Sequence, residues 1–229
     1  MAKLPTKYLC AALAVLIVPA FASAQEAKPL RALYITGGCC HDYSKQRIAA
    51  NRRARLIASL NSVLDPSLRE RDLATVRINV TDKELLGSNE PVDVYVAADG
   101  DTPVAAVFAT TETEGYNSTI HLLIGVSRDG VLTGVRAVSH RETPGLGDAI
   151  DIQKSKWITK FDGKSLSAPD RSLWLVDKDD GAFDSITGAT VTSRGVVKGV
   201  KNTLLYFERH RDELFTAAAA ARSHDDAEQ

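Results

Sequence analysis

The chain has 229 residues, with 28 Lys+Arg against 29 Asp+Glu and a formal net charge of -1. That balance removes the electrostatic case for nucleic-acid binding. At 44% hydrophobic and 25% charged residues it is ordinary globular material, long enough to bury a substantial core.

Lys3 and Lys7 precede a mostly apolar run over residues 8–21, and Ala22-Ser23-Ala24 supplies a small-x-small cleavage site. Residues 1–24 therefore read as a secretory signal peptide. A retained N-terminal anchor is the competing reading, but the run is shorter than the ~20 residues a spanning helix needs. Cys10 lies inside the run without a lipobox-like pattern. Residues 25–46 read as a junction segment. Leu33-Tyr34-Ile35-Thr36 suits a short buried strand, and Gly37-Gly38 a turn. Cys39, Cys40, His41 and Asp42 put metal- and redox-capable side chains in a row. Adjacent cysteines chelate poorly, however, and a disulfide between neighbours is strained. The strand and turn, with His41-Asp42-Tyr43, resemble the opening of ThuA-like proteins over residues 31–46. Taken at face value, that resemblance implies a sugar-metabolising enzyme built from alternating strands and helices.

Residues 47–64 read as an amphipathic helix. Ile48, Leu56, Ile57, Leu60, Val63 and Leu64 fall near one face, with Arg47, Arg52, Arg53 and Arg55 largely off it, and Pro66 marks the end. From Val92 the pattern becomes that of strands. Residues 92–97 alternate, Asp99-Gly100-Asp101 turns, and residues 103–109 return. Residues 118–126 and 131–138 form a second pair across Arg128-Asp129-Gly130. Consecutive hairpins predict an α+β fold, an antiparallel sheet with packed helices, and argue against the alternating order of a ThuA-like fold. Asn117-Ser118-Thr119 is a formal sequon with nothing else to support glycosylation. His121, inside an apolar strand, reads as a satisfied core or half-buried histidine.

Two strings carry chemistry. The first is His140-Arg141-Glu142-Thr143-Pro144-Gly145-Leu146-Gly147-Asp148. As residue types it is a strand exit and a Pro-Gly turn before a helix expected to span residues 148–161, with Ile150, Trp157, Ile158 and Phe161 inward. Gly145 and Gly147 would let backbone approach a flat ring closely, Leu146 could cover one ring face, and Glu142 and Thr143 could offer polar groups to its edge. His140 suits bracing of the loop. The second string is Asp184-Ser185-Ile186-Thr187-Gly188-Ala189-Thr190-Val191-Thr192-Ser193, which follows an acidic, Gly-containing loop over residues 177–181. A helix follows it, with Val196, Val197, Val200, Leu204 and Phe207 at helical spacing and Ser193 as N-cap candidate. Hydroxyls gathered at a helix N-terminus suit an anion such as phosphate, and they also suit an ordinary cap. Residues 211–229, alanine-rich and then acidic, read as a disordered tail.

Asp184-x-x-Thr187-Gly188-Ala189-Thr190-x-Thr192 resembles the flavinylation motif of the G subunit of Rnf-type electron-transport complexes, a family related to the C subunit of the sodium-pumping quinone reductase. His-x-Glu-Thr-Pro-Gly-Leu-Gly-Asp is a hallmark of the same FMN-binding family. The likeness spans about residues 47–210 in order of elements. It implies FMN joined through its phosphate to the hydroxyl of Thr190, with Asp184, Thr187, Gly188, Ala189 and Thr192 shaping the loop or bonding the phosphate. It implies that Glu142, Thr143, Gly145, Leu146 and Gly147 pack against the ring, and it assigns no metal. It further implies attachment by a separate flavin transferase, a place on the periplasmic side of the bacterial inner membrane, and electron relay among other subunits of a membrane complex. The alternative from the residues alone is a periplasmic module that binds a flavin or phosphorylated ligand non-covalently, without a redox role.

Overall fold

A computed structural model of the chain describes residues 43–69, 74–112 and 114–227. The expectations for the signal peptide over residues 1–24, Cys10, and the strand and Cys39-Cys40-His41 string of the junction segment lie outside the described residues. The compact unit begins at Tyr43.

Helix α1 (Tyr43–Val63) carries the expected arginine-rich stretch. It is followed by one further turn, α2 (Pro66–Arg69), that Asp65 caps by accepting from Ser67 N at 2.8 Å. Among the described side chains of the predicted face, those at its end dock. Leu60, Val63 and Leu64 are buried, whereas Leu56 and Ile57 are 37% and 44% exposed. The docked end packs on Ala105, Val107 and Leu123. Thr133 Oγ1 donates to Val63 O at 2.6 Å. A Cβ at Gly125 would lie 2.4 Å from Val63 O, so this close approach requires glycine in the sheet.

Five strands form one antiparallel sheet in the order β1-β2-β3-β4-β5. They are β1 (Ala74–Asp82), β2 (Ser88–Asp99), β3 (Thr102–Glu112), β4 (Ile120–Ser127) and β5 (Leu132–Ser139). The one-turn helix α3 (Lys83–Leu86) joins β1 to β2, capped by Asp82 and closed by Gly87 in the left-handed region. The hairpin strands β2 to β5 match the expectation. Strand β1 is additional, although Val76, Ile78 and Val80 alternate as a half-buried strand should. His121 corrects a reading: it is exposed, because its neighbours Ile120 and Leu122 occupy the core face.

Helix α4 (Thr190–Ala227) crosses the other face of the sheet. Val196, Val197, Val200, Leu204 and Phe207 are buried as the spacing predicted. Phe108 of β3 meets Tyr206 and Phe207 edge-on, at centroid distances of 6.1 and 6.3 Å. The expectation of a disordered tail is overturned. The helix continues through Ala227, and Leu214, Phe215 and Ala218 carry its apolar face into the same core.

Between β5 and α4 the predicted helix over residues 148–161 is replaced by two 3₁₀ turns, Gly147–Ile150 and Trp157–Phe161. Local side chains break it. Asp151 Oδ1 accepts from Gln153 N at 2.9 Å, and Ser155 Oγ donates to Ala149 O and accepts from Trp157 N. The inward residues are nonetheless those expected, since Ile150, Trp157, Ile158 and Phe161 are all buried. Phe161, Trp174 and Phe183 then stack together, Phe183 lying 4.8 Å from each of the other two. That aromatic cluster fixes the base of the loop leading to α4.

Candidate functional site

The two chemistry-bearing strings meet. Each contains a four-residue turn with glycine at its third position. Leu146 N donates to Thr143 O at 3.1 Å across Pro144-Gly145, and Ala189 N donates to Ile186 O at 2.9 Å across Thr187-Gly188. Gly145 and Gly188 have φ of 77° and 79°, the left-handed value a type II turn requires there. The turns touch, and a Cβ at Gly188 would lie 2.8 Å from Leu146 Cδ2. Gly147 is likewise hemmed in by Glu142 and Thr192 Oγ1.

Glu142 is 4% exposed, and its carboxylate bonds inward. Oε2 accepts from the hydroxyl of fully buried Thr192 at 2.5 Å, and Oε1 accepts from Asn117 N at 3.2 Å. A buried carboxylate needs such donors, and these tie the β3–β4 loop, the Pro-Gly turn and the first turn of α4 together. Asn117 Nδ2 also donates to Thr143 Oγ1 at 2.9 Å. His140 braces the loop as expected, its Nδ1 accepting from Glu142 N at 3.2 Å.

The start of α4 also differs in detail. Ala189, buried, stands at the cap position and its carbonyl accepts from Ser193 N at 3.0 Å. Ser193 is therefore inside the helix. Its hydroxyl donates to Ala189 O and accepts from Ile186 N, stitching the turn to the helix. Thr190, Val191 and Thr192 occupy the first three helical positions, whose amides have no carbonyl partner within the helix. Thr190 is half-buried, and Thr187 and Gly188 are exposed beside it.

Asp184 is exposed and shapes the loop. Its carbonyl accepts from Trp157 Nε1 at 2.7 Å, and its carboxylate pairs with Lys160. Asp177 Oδ1 accepts from Ser185 N at 2.8 Å. Hydrogen bonds from the Ser185 side chain and backbone hold the Asp177 carboxyl below its ordinary value of 3.8. Asp179 accepts two bonds of 2.6 Å from the Arg194 guanidinium, which lowers the carboxyl and raises the guanidinium.

One contact had no counterpart in the sequence pattern. Lys178 Nζ donates to Thr190 Oγ1 at 3.1 Å. The acidic loop was visible as a string, but nothing in it marks the lysine as reaching twelve residues ahead. On the segments flanking Thr190, Leu146, Leu175 and Val191 remain 42%, 43% and 44% exposed. A hydroxyl, an ammonium and free helix amides suit a phosphate, and the exposed apolar side chains suit a flat apolar ring. Among the described residues no cluster of His, Cys, Asp and Glu could hold a metal ion, and no helix is long and apolar enough to cross a membrane.

Residues 115–205, spanning both strings, match the FMN-binding domain family. Over most of its length the chain is similar to proteins named as the G subunit of an ion-translocating oxidoreductase complex. The one from Shewanella baltica (strain OS223) is 36% identical over 199 residues, 86% of this chain and 94% of the relative. The one from Pseudoalteromonas atlantica is 39% identical over 180 residues, 79% of this chain and 84% of the relative. The one from Shewanella oneidensis is 38% identical over 170 residues, 74% of this chain and 80% of the relative.

Proposed function

The chain belongs to the family of G subunits of ion-translocating oxidoreductase complexes, and from that membership we propose that its FMN is bound covalently, through the phosphate, to Thr190 Oγ1. It is an FMN-carrying electron-transfer subunit of such a complex. The observation that carries the proposal is the placement of the Thr190 hydroxyl at the first helical position of α4, beside the Lys178 ammonium and next to the Leu146–Gly188 contact.

When bound, FMN supplies the redox chemistry, and the protein supplies tether, orientation and surroundings. Thr190 is the point of attachment and takes no part in turnover. The amides of the first turn of α4 and the positive end of its dipole face the phosphate. Leu146, pinned across Gly188, covers an apolar face of the ring. Gly145 and Gly147 keep that loop close, and Thr143 holds it through Asn117. Thr192 acts through Glu142, fixing the turn that bears Thr190. Asp184, Thr187 and Ala189 shape the loop presented to a flavin transferase, which uses FAD as donor. The site faces the periplasm, beside the other subunits of the complex.

The test is flavin fluorescence of the denatured band on a gel. The full chain is expressed with its N-terminal segment and a flavin transferase, beside Thr190→Val. A fluorescent wild-type band with a dark Thr190→Val band is expected. Two dark bands overturn covalent attachment in favour of the non-covalent module, and a fluorescent variant moves the bond to another hydroxyl, Thr187 being the exposed one nearby.

A further inference from the structure

We propose that Lys178 is a positioning residue for the chemistry that loads Thr190, its ammonium stabilising the charge that grows on Oγ1 and then pairing with the phosphodiester. The inference rests on the reading of Thr190 as the attachment residue.

The lysine stands on a turn held from several sides. Its neighbours Asp177 and Asp179 are acidic, and each carboxylate is held by hydrogen-bond donors of its own. Asp177 accepts from the Ser185 and Lys178 amides at 2.8 Å each, and Asp179 accepts both bonds from Arg194. The backbone is fixed as well. Asp177 N donates to Phe183 O at 2.7 Å, and Gly181 N donates to Val176 O at 2.9 Å. A Cβ at Gly181 would lie 1.9 Å from Leu175 O. Asp180, at φ 60°, is the non-glycine residue with positive φ among the described residues, and it closes this turn. The result is an anchored acidic turn whose exposed central lysine sends its ammonium to Thr190 Oγ1.

Loading has a defined balance. Thr190 Oγ1 forms a bond to the FMN-side phosphorus of FAD, the bond from that phosphorus to the bridging oxygen breaks, and AMP leaves with the bond's electron pair. The hydroxyl proton goes to a base of the transferase, and nothing is oxidised or reduced. Three hydrogens on the ammonium let it keep one on Oγ1 and offer others to the phosphoryl oxygens. A cation donating to an oxygen that is becoming anionic contributes most as the charge develops. The ester that results is an anion beside a fixed cation.

The experiment uses the full-length apo chain with purified transferase, magnesium and FAD. The rate of flavin incorporation is followed by mass and by fluorescence of the denatured band. Wild type, Lys178→Met, Lys178→Arg and Thr190→Val are compared, and the thermal midpoint of each apo chain is recorded. Lys178→Met is expected to lower the maximal loading rate on the order of tenfold, with the half-saturating concentration of chain and the midpoint unchanged. Lys178→Arg should restore most of the rate. Loading of Lys178→Met at the wild-type rate overturns the inference while leaving the covalent reading intact. So does a loss confined to half-saturation, which would mark a docking contact, or a loss that arginine does not rescue. A wild-type chain that never loads overturns the Thr190 reading and this inference with it.

Discussion

Thr192→Val isolates the bond that joins the two halves of the site. Valine keeps the shape and the β-branch of threonine, so packing and helix propensity stay nearly constant. What goes is the hydroxyl that donates to Glu142 Oε2 at 2.5 Å, at a position with no solvent exposure. Glu142 retains the Asn117 amide on Oε1, but Oε2 is left buried, and water does not replace the lost donor without loosening the turn. A hydrogen bond to a charged group contributes about 1.5–3 kcal/mol. We expect a loss of about 2 kcal/mol in urea unfolding, and a fall in Tm of roughly 4–8 °C for a domain of this size. Glu142→Gln should cost less, about 1 kcal/mol, because an amide can still accept from Asn117 and donate to Thr192 Oγ1. A Thr192→Val chain within about 0.5 kcal/mol of wild type would refute the reasoning.

The docked end of α4 makes a second prediction. Ending the chain after His210 removes Leu214, Phe215 and Ala218 from the core. Leu214→Ala alone should cost about 2–5 kcal/mol in urea unfolding, whereas an unchanged unfolding midpoint would mean that the helix end is not docked. The acidic turn makes a third. Asp177 and Asp179 have lowered carboxyl values, so their anchoring is complete above the ordinary 3.8 and is lost as pH falls through the lowered folded values. The Ser185 amide resonance should therefore titrate below pH 3.8, and a midpoint at or above that value would contradict the Asp177–Ser185 bond.

Periodicity carried most of the fold. The apolar spacing of residues 196–207 located the buried stripe of α4, alternation over residues 92–97 located β2, and the Gly-containing turns placed β3 to β5. The errors came where local pattern was overruled or left unread. Asp151 and Ser155 bonded the backbone around them and split an expected helix into two turns. The alanine-rich composition after residue 211 hid a helical face of only three core residues, Leu214, Phe215 and Ala218. On the α1 face, Leu56 and Ile57 stay partly exposed where Leu60, Val63 and Leu64 are buried. In the site, the strings named nearly every residue but not its direction. Glu142 is of a type that usually faces solvent, and only the meeting of three segments turns it inward. Lys178 reaches Thr190 through a turn whose shape depends on contacts with Phe183, Ser185 and Arg194, and no local pattern encodes them.

The arrangement also suits the proposed tether at this helix. An electron carrier must hold its ring at a fixed distance from donor and acceptor, so its attachment atom belongs on the element least free to move. Helix α4 meets that need. Val196, Val197, Val200 and Leu204 bury its first half against the sheet, and Leu214 to Ala218 bury its far end. Thr190 lies two residues from Thr192, whose hydroxyl bonds the buried Glu142, so the proposed tether would sit one half-turn above a fixed point of the core. Leu146, Leu175 and Val191 leave apolar side chains exposed on segments that are themselves anchored. A ring attached there would gain a rigid base and an open side. A soluble flavin pocket would bury the ring on both sides, whereas a subunit that must pass electrons to its neighbours gains from leaving one face within their reach.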